Sequence, residues 1–205
     1  MALLTEDFET GPPPTGWTTV SAMAFPGTGR TGNGVTLMAA SGNGIQSPTF
    51  TLTVNTRSIF WVKATTIMAE EWLLRLINGA STNNASLKMN SGGTITIYDS
   101  NGSSVATTSE TVPADSAWHS VTFDCESAGA GAYSLSIDGG TAITGTGDFT
   151  STGSPGTDNV MLCGQTSSPY TYDDLSVDSI VAAGSPVTKR ATSRSYVATT
   201  RSNFY

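Results

Sequence analysis

Charge is scarce in this chain. Only 12% of its 205 residues are charged, nine basic against sixteen acidic, for a formal net charge of −7. Its surface must therefore be wetted by hydroxyls and amides, and 33 Thr and 26 Ser supply them. Histidine is scarcer still. His119 stands alone, so any Ser-His-Asp triad would have to use it, and no Gly-x-Ser-x-Gly elbow is present. The two cysteines, Cys125 and Cys163, fall mid-strand and read as buried free thiols; zinc would need two further ligands, and the lone His does not provide them. No apolar run approaches the roughly 18 to 20 residues of a membrane helix. The opening MALLTEDFET carries Glu6 and Asp7 where an export signal would be apolar, so the expectation is a chain without a signal peptide, folded in a host cytoplasm.

What the chain does have is strand punctuation. Twenty-two Gly and nine Pro are spread along it, and no apolar helical stripe exceeds about ten residues. Alternating segments recur every 8 to 14 residues from 48 to 182, which suits an antiparallel sandwich and excludes strand-helix-strand alternation. Residues 70–78 fit either a helix turn or a strand buried on both faces. A first strand at 3–9 ends at Pro12-Pro13-Pro14, and weaker strands sit near 34–38 and 44–46. The expected fold class is all-β, an antiparallel two-sheet jelly-roll sandwich over residues 1–184 with an extended C-terminal arm over 185–205.

Between residues 115 and 180 the chain reads DSAWHSVTFD, YSLSIDGGTAI, NVMLCGQ and YTYDDLSVDSI in turn. Together with Arg57-Ser58-Ile59-Phe60-Trp61-Val62-Lys63 and Trp72-Leu73-Leu74-Arg75-Leu76 upstream, this order resembles laminin-G-like domains, members of the concanavalin-A-like jelly rolls that include lectins and glucanases. The resemblance covers residues 45 to 180. It implies that the first and last strands pair, and that Trp118, Val121, Phe123, Leu135 and Ile137 pack in the core. Fold alone does not assign function, because this fold hosts lectins, glycosidases, adhesion modules and virion proteins.

Glycosidases of this fold project two carboxylates from one strand as Glu-x-Asp-x-Glu or a near variant, so that acid and nucleophile flank the glycosidic bond. The pattern is absent, and Glu70-Glu71 and Asp173-Asp174 are adjacent pairs that a strand turns to opposite faces. The expectation is no catalytic residue and no enzyme. No cofactor is expected either; a calcium site at the rim, of the kind some relatives hold, would draw on Asp138, Asp158 and Asp173, but no Asp-x-Asp-x-Asp-Gly loop gathers them. Of the four tryptophans, only Trp72, after two glutamates, suggests an exposed sugar-stacking ring; core packing is the default for Trp17, Trp61 and Trp118.

The last 21 residues differ from the rest. Lys189, Arg190, Arg194 and Arg201 give them a charge of +4 with no acid, whereas residues 1–184 hold five basic and sixteen acidic side chains and carry −11. Four cations in this length are too sparse for nucleic acid. With Tyr196, Val197, Phe204 and Tyr205 as apolar anchors, the segment reads as a partner-binding arm that orders on another copy or a neighbouring acidic surface. A fold of outward-facing work on a chain without an export signal points to a virion structural protein. A capsid decoration or cement protein, or a tail-accessory protein of a bacteriophage, fits this reading, with other virion proteins and further copies of itself as partners. The alternative is a carbohydrate-binding module of lectin type. No membrane partner is expected.

Overall fold

The computed structural model describes residues 1–9, 15–19, 24–30, 32–37, 43–67, 70–79, 82–150, 155–164 and 170–180. These contain fifteen strands and no helix, arranged as two antiparallel sheets packed into a sandwich of jelly-roll type. The first sheet, sheet A, is built from β3 (Ala24–Thr28), β4 (Asn33–Leu37), β6 (Asn55–Ala64), β11 (His119–Glu126), β12 (Gly131–Ile137), β13 (Ile143–Gly147) and β15 (Tyr170–Ser179), in the order β13-β12-β11-β6-β15-β4-β3. Strand β1 (Ala2–Glu6) also pairs with β15, with Leu4 opposite Val177 and Glu6 opposite Leu175. The opposing sheet B holds β2 (Thr18–Thr19), β5 (Asn43–Gln46), β7 (Glu71–Asn78), β8 (Thr82–Met89), β9 (Thr94–Tyr98), β10 (Ser104–Thr111) and β14 (Asn159–Gly164), ordered β10-β9-β8-β7-β14-β5-β2. The segment 70–78, ambiguous in sequence, is a strand.

Alternation dictates the core. In β6 every second residue is buried, so Phe60, Val62 and Ala64 face sheet B while Ile59, Trp61 and Lys63 face away. The neighbouring strands put Val121, Phe123 and Cys125, then Tyr133, Leu135 and Ile137, onto the same inner layer. Sheet B answers with Leu74, Leu76, Leu87, Ile95, Ile97 and Leu162. Tyr172 reaches across this layer, its hydroxyl lying 2.5 Å from the Cys163 carbonyl and 3.2 Å from that of Leu73. The β12–β13 turn is an Asp138-Gly139 pair with φ of 52° and 68°, closed by the Gly140 N–H donating to the Ile137 carbonyl. Positive φ at both central residues makes it the primed turn that matches strand twist.

Several expectations need correction. Trp118 is not in the core: one residue before His119, it has the parity of Ser120 and Thr122 and stands partly exposed on the outer face, with the Lys63 ammonium 4.8 Å from its ring centre. Trp61 is outward for the same reason, whereas Trp17 is buried against Phe8 as expected. The first strand stops at Glu6, because Phe8 takes a φ of 57° and donates its N–H to the Glu6 carboxylate. Residues 48–54 form no strand, only a bridge between Thr53 and Thr157. Strands β2, β3 and β13 were not foreseen, being short or rich in Gly and Thr. The arm, residues 185–205, lies outside the described residues.

Phe123 is fully buried at the centre of this layer. Replacing it with Ala should cost about 3–5 kcal/mol, the usual penalty for emptying an aromatic site. A loss below about 1 kcal/mol in denaturant melts would mean that the faces of β11 are reversed.

Candidate functional site

The outward faces of the two sheets differ in how they use their cations. The body of the chain has five: Arg30, Arg57, Lys63, Arg75 and Lys88. On sheet A, Arg57 grips Asp124 with two parallel bonds of 2.7 Å, opposite it in the β6–β11 ladder. Arg30 donates its backbone N–H to Asp173 at 2.6 Å, pairs with Asp174 through its guanidinium, and lies 4.4 Å above the Trp61 ring. This face is tied down by its own salt links.

On sheet B a different group assembles. Trp72 and Arg75 are three residues apart in β7, a spacing that places side chains on opposite faces of a regular strand. Between Trp72 and Leu74 the register against β8 shifts, Trp72 lying opposite Lys88 and Leu74 opposite Leu87. The extra residue, Leu73, is absorbed as a bulge, which returns Arg75 to the face that carries Trp72. The Arg75 guanidinium sits 5.0 Å from the Trp72 ring centre. Across the sheet, Lys88 and Tyr98 complete the group: the Trp72 and Tyr98 rings meet edge-on at 5.1 Å, and the Lys88 ammonium is 5.6 and 5.8 Å from the two rings. Glu70 bonds Lys88 at 2.6 Å and holds its pKa above the ordinary lysine value despite partial burial.

The floor beside these rings is apolar, formed by Ile77, Met161 and Cys163 on the same outward face. Burial pushes the Cys163 thiol up to about 12, so it is a neutral neighbour of Arg75. Cys125 lies in the other sheet, buried in the core, and both cysteines are free. Next to the rings runs a hydroxyl ladder: Asn90 donates to Thr94 and Thr96 at 2.8 and 3.0 Å, and Thr96 and Thr107 share a bond of 2.8 Å. Arg75 Nε and Asn159 Oδ1 are buried and have no hydrogen-bond partner among the described residues. Aromatic faces flanked by cations, amides and hydroxyls are suited to stacking on and hydrogen-bonding a polar ring.

The three aspartates that a rim calcium site would draw on are dispersed. Asp138 bonds His119 and the Ser120 N–H, Asp158 accepts from the Gly79 N–H, and Asp173 accepts from Arg30 and Asp174. Among the described residues no group of three or more His, Cys, Asp or Glu side chains is gathered as a metal site. Trp72, expected as an exposed ring, is half-buried in the candidate site; Arg75 and Lys88 carry no signal in the sequence, since their convergence with Tyr98 depends on a bulge and two ladders.

No protein-family model and no curated protein matches the chain. Solved structures do. A sialidase superposes with a TM-score of 0.62 at 12% identity over 87% of this chain, which spans only 18% of that protein. An endo-β-1,4-glucuronan lyase from the fungus Trichoderma reesei gives 0.58 at 11%, covering 88% of this chain and 96% of the lyase. A carbohydrate esterase from a Shiga toxin-encoding bacteriophage gives 0.55 at 14%, covering 88% and 99%. The likeness is one of fold. It agrees with the resemblance to lectin- and glucanase-type jelly rolls and corrects one expectation. Proteins named as enzymes share this sandwich, the lyase along almost its whole length. Absence of one carboxylate pattern therefore does not exclude catalysis, and the expectation of a non-enzyme is withdrawn.

His119 is a packed, hydrogen-bonded side chain at the rim. Its Nδ1 is 2.7 Å from Asp138 and its Nε2 3.3 Å from Asp115. A neutral imidazole has one N–H, so two carboxylates on two ring nitrogens favour the imidazolium. Burial pulls the His119 pKa down, but Asp138 and Asp115 outweigh it and the net shift is upward. A raised folded pKa makes the contribution full below the ordinary value of about 6.5 and lost as pH rises through the folded value. The stability lost in His119→Gln should thus be larger at about pH 5.5 than at about pH 8.5, by paired denaturant melts. A pH-independent difference would show that the ring is not charged in the folded protein.

Proposed function

We propose that this sandwich binds carbohydrate, as a lectin-type module, through the outward face of sheet B at Trp72 and Tyr98. The observation that carries the reading is the half-buried edge-on ring pair, with cations and a threonine ladder beside it on a sheet face. Sugar rings present apolar C–H faces and equatorial hydroxyls, and this arrangement offers a partner for each. The three solved structures named above, a sialidase, a glucuronan lyase and a carbohydrate esterase, support a glycan-directed role. Trp72 is only partly buried, so Trp72→Ala should leave the melting temperature within a few degrees of the parent. It should lower affinity for a bound glycan at least tenfold, about 1.4 kcal/mol, by calorimetric titration. Unchanged affinity would move the site elsewhere.

A virion is the setting we propose for this module, as a capsid decoration or tail-accessory protein. Its support is the bacteriophage protein matched over nearly its full length, together with the contrast between a body of −11 and a terminal segment of +4. Exposed ion pairs are worth only about 0–1 kcal/mol each, so charge steers this segment and Tyr196, Val197, Phe204 and Tyr205 must anchor it. Deleting residues 185–205 should leave the melting temperature unchanged and weaken self-association or capture by particles, measured by sedimentation. Association equal to that of the full chain would make the segment a passive tail.

A further inference from the structure

We propose that the Trp72 site takes a carboxylate-bearing sugar, with the Arg75 guanidinium receiving the acid group while the ring stacks on Trp72. This rests on the reading of the face as a glycan site and adds the charge of the ligand to it. Of the cations on the two outer faces, Arg57, Arg30 and Lys88 each have a carboxylate, from Asp124, Asp174 and Glu70. Arg75 has no ion pair among the described residues, in a chain where acids outnumber bases by sixteen to nine. Its Nε is moreover a buried donor without a partner among them.

The chemistry of that group selects its ligand. A guanidinium presents a planar fork that matches a carboxylate in two parallel bonds, which a sugar hydroxyl cannot reproduce. Cys163 beside it is a neutral thiol, so no thiolate claims the charge. The apolar floor of Ile77 and Met161 excludes water from one side and strengthens the pairing. Lys88, 5.6 Å from the Trp72 ring, adds a second positive charge on the other side of the same face, half-satisfied by an exposed Glu70. The acidic remainder of the body repels a polyanion at long range, but at physiological salt that field decays over about 8 Å, so contact at Arg75 decides binding.

The experiment compares acidic oligosaccharides with their carboxyl-reduced counterparts, using glucuronic-acid oligosaccharides and sialyllactose, on the full-length protein by calorimetric titration. The expected result is that at least one acidic probe binds at least tenfold tighter than its reduced form. Arg75→Gln should erase that ratio, and Arg75→Lys should restore only part of it. Melting temperatures of the Arg75 variants verify that the fold is intact. Equal binding of acidic and reduced forms overturns the proposal, and so does a ratio that survives Arg75→Gln. If those neutral forms bind and Trp72→Ala abolishes binding, the glycan site stands and only its acid preference falls. If no probe binds the parent protein, the acid proposal fails along with the site for these sugars.

Discussion

The candidate site depends on one hydroxyl group. Tyr172 belongs to sheet A, yet its O–H is 3.2 Å from the Leu73 carbonyl and 2.5 Å from that of Cys163, both in sheet B. The β7–β14 ladder runs from Asn159 opposite Ile77 to Leu162 opposite Leu74 and stops there. Beyond that point the two carbonyls lie at full burial, where an unmet acceptor costs about 1–3 kcal/mol. The phenol brings one proton, donated chiefly to the nearer Cys163 carbonyl with that of Leu73 also in reach. It thereby holds the bulged residue, Leu73, that turns Arg75 onto the face of Trp72. Burial drives the Tyr172 pKa far up, which keeps the proton on the hydroxyl.

From that tie follows the asymmetry of the two faces. Four of the five body cations stand over tryptophan rings: Arg30 on Trp61, Lys63 on Trp118, Arg75 and Lys88 on Trp72. Such stacking is worth about 0.5–1 kcal/mol at exposed positions, so on sheet A it adds modestly to salt links that already pin the surface. On sheet B the same pairing is built over an apolar floor and leaves a guanidinium without an acid among the described residues.

Much of the fold was legible because period-two patterns are local. The alternation of β6, β11 and β12 is visible in the residues, as is the Asp138-Gly139 turn, and the pairing of the first and last strands followed from family resemblance. Trp61 and Trp118 show how that signal is lost: large aromatics are so often core that their parity was overridden, although Phe60 and Val62 already fixed Trp61 outward. Strands such as β13, ITGTG, have too little apolar content to announce themselves and form only because β12 offers an edge. For the site, Trp72 could be singled out by the glutamates before it. Arg75 and Lys88 could not, because a one-residue bulge decides which face Arg75 takes and no residue type signals it. The dispersed Asp138, Asp158 and Asp173 teach the converse, that carboxylates at turn positions serve the backbone N–H groups nearest them.

The most direct measurement is an NMR titration of the isotope-labelled protein with a glucuronic-acid oligosaccharide, following tryptophan indole and arginine side-chain N–H signals together. The account predicts that the Trp72 indole and the Arg75 Nε–H shift first and saturate with one common affinity, while Trp61, Trp118 and Arg57 on sheet A remain still. Shifts concentrated on the sheet A tryptophans, or at the His119 and Asp138 rim, would contradict it.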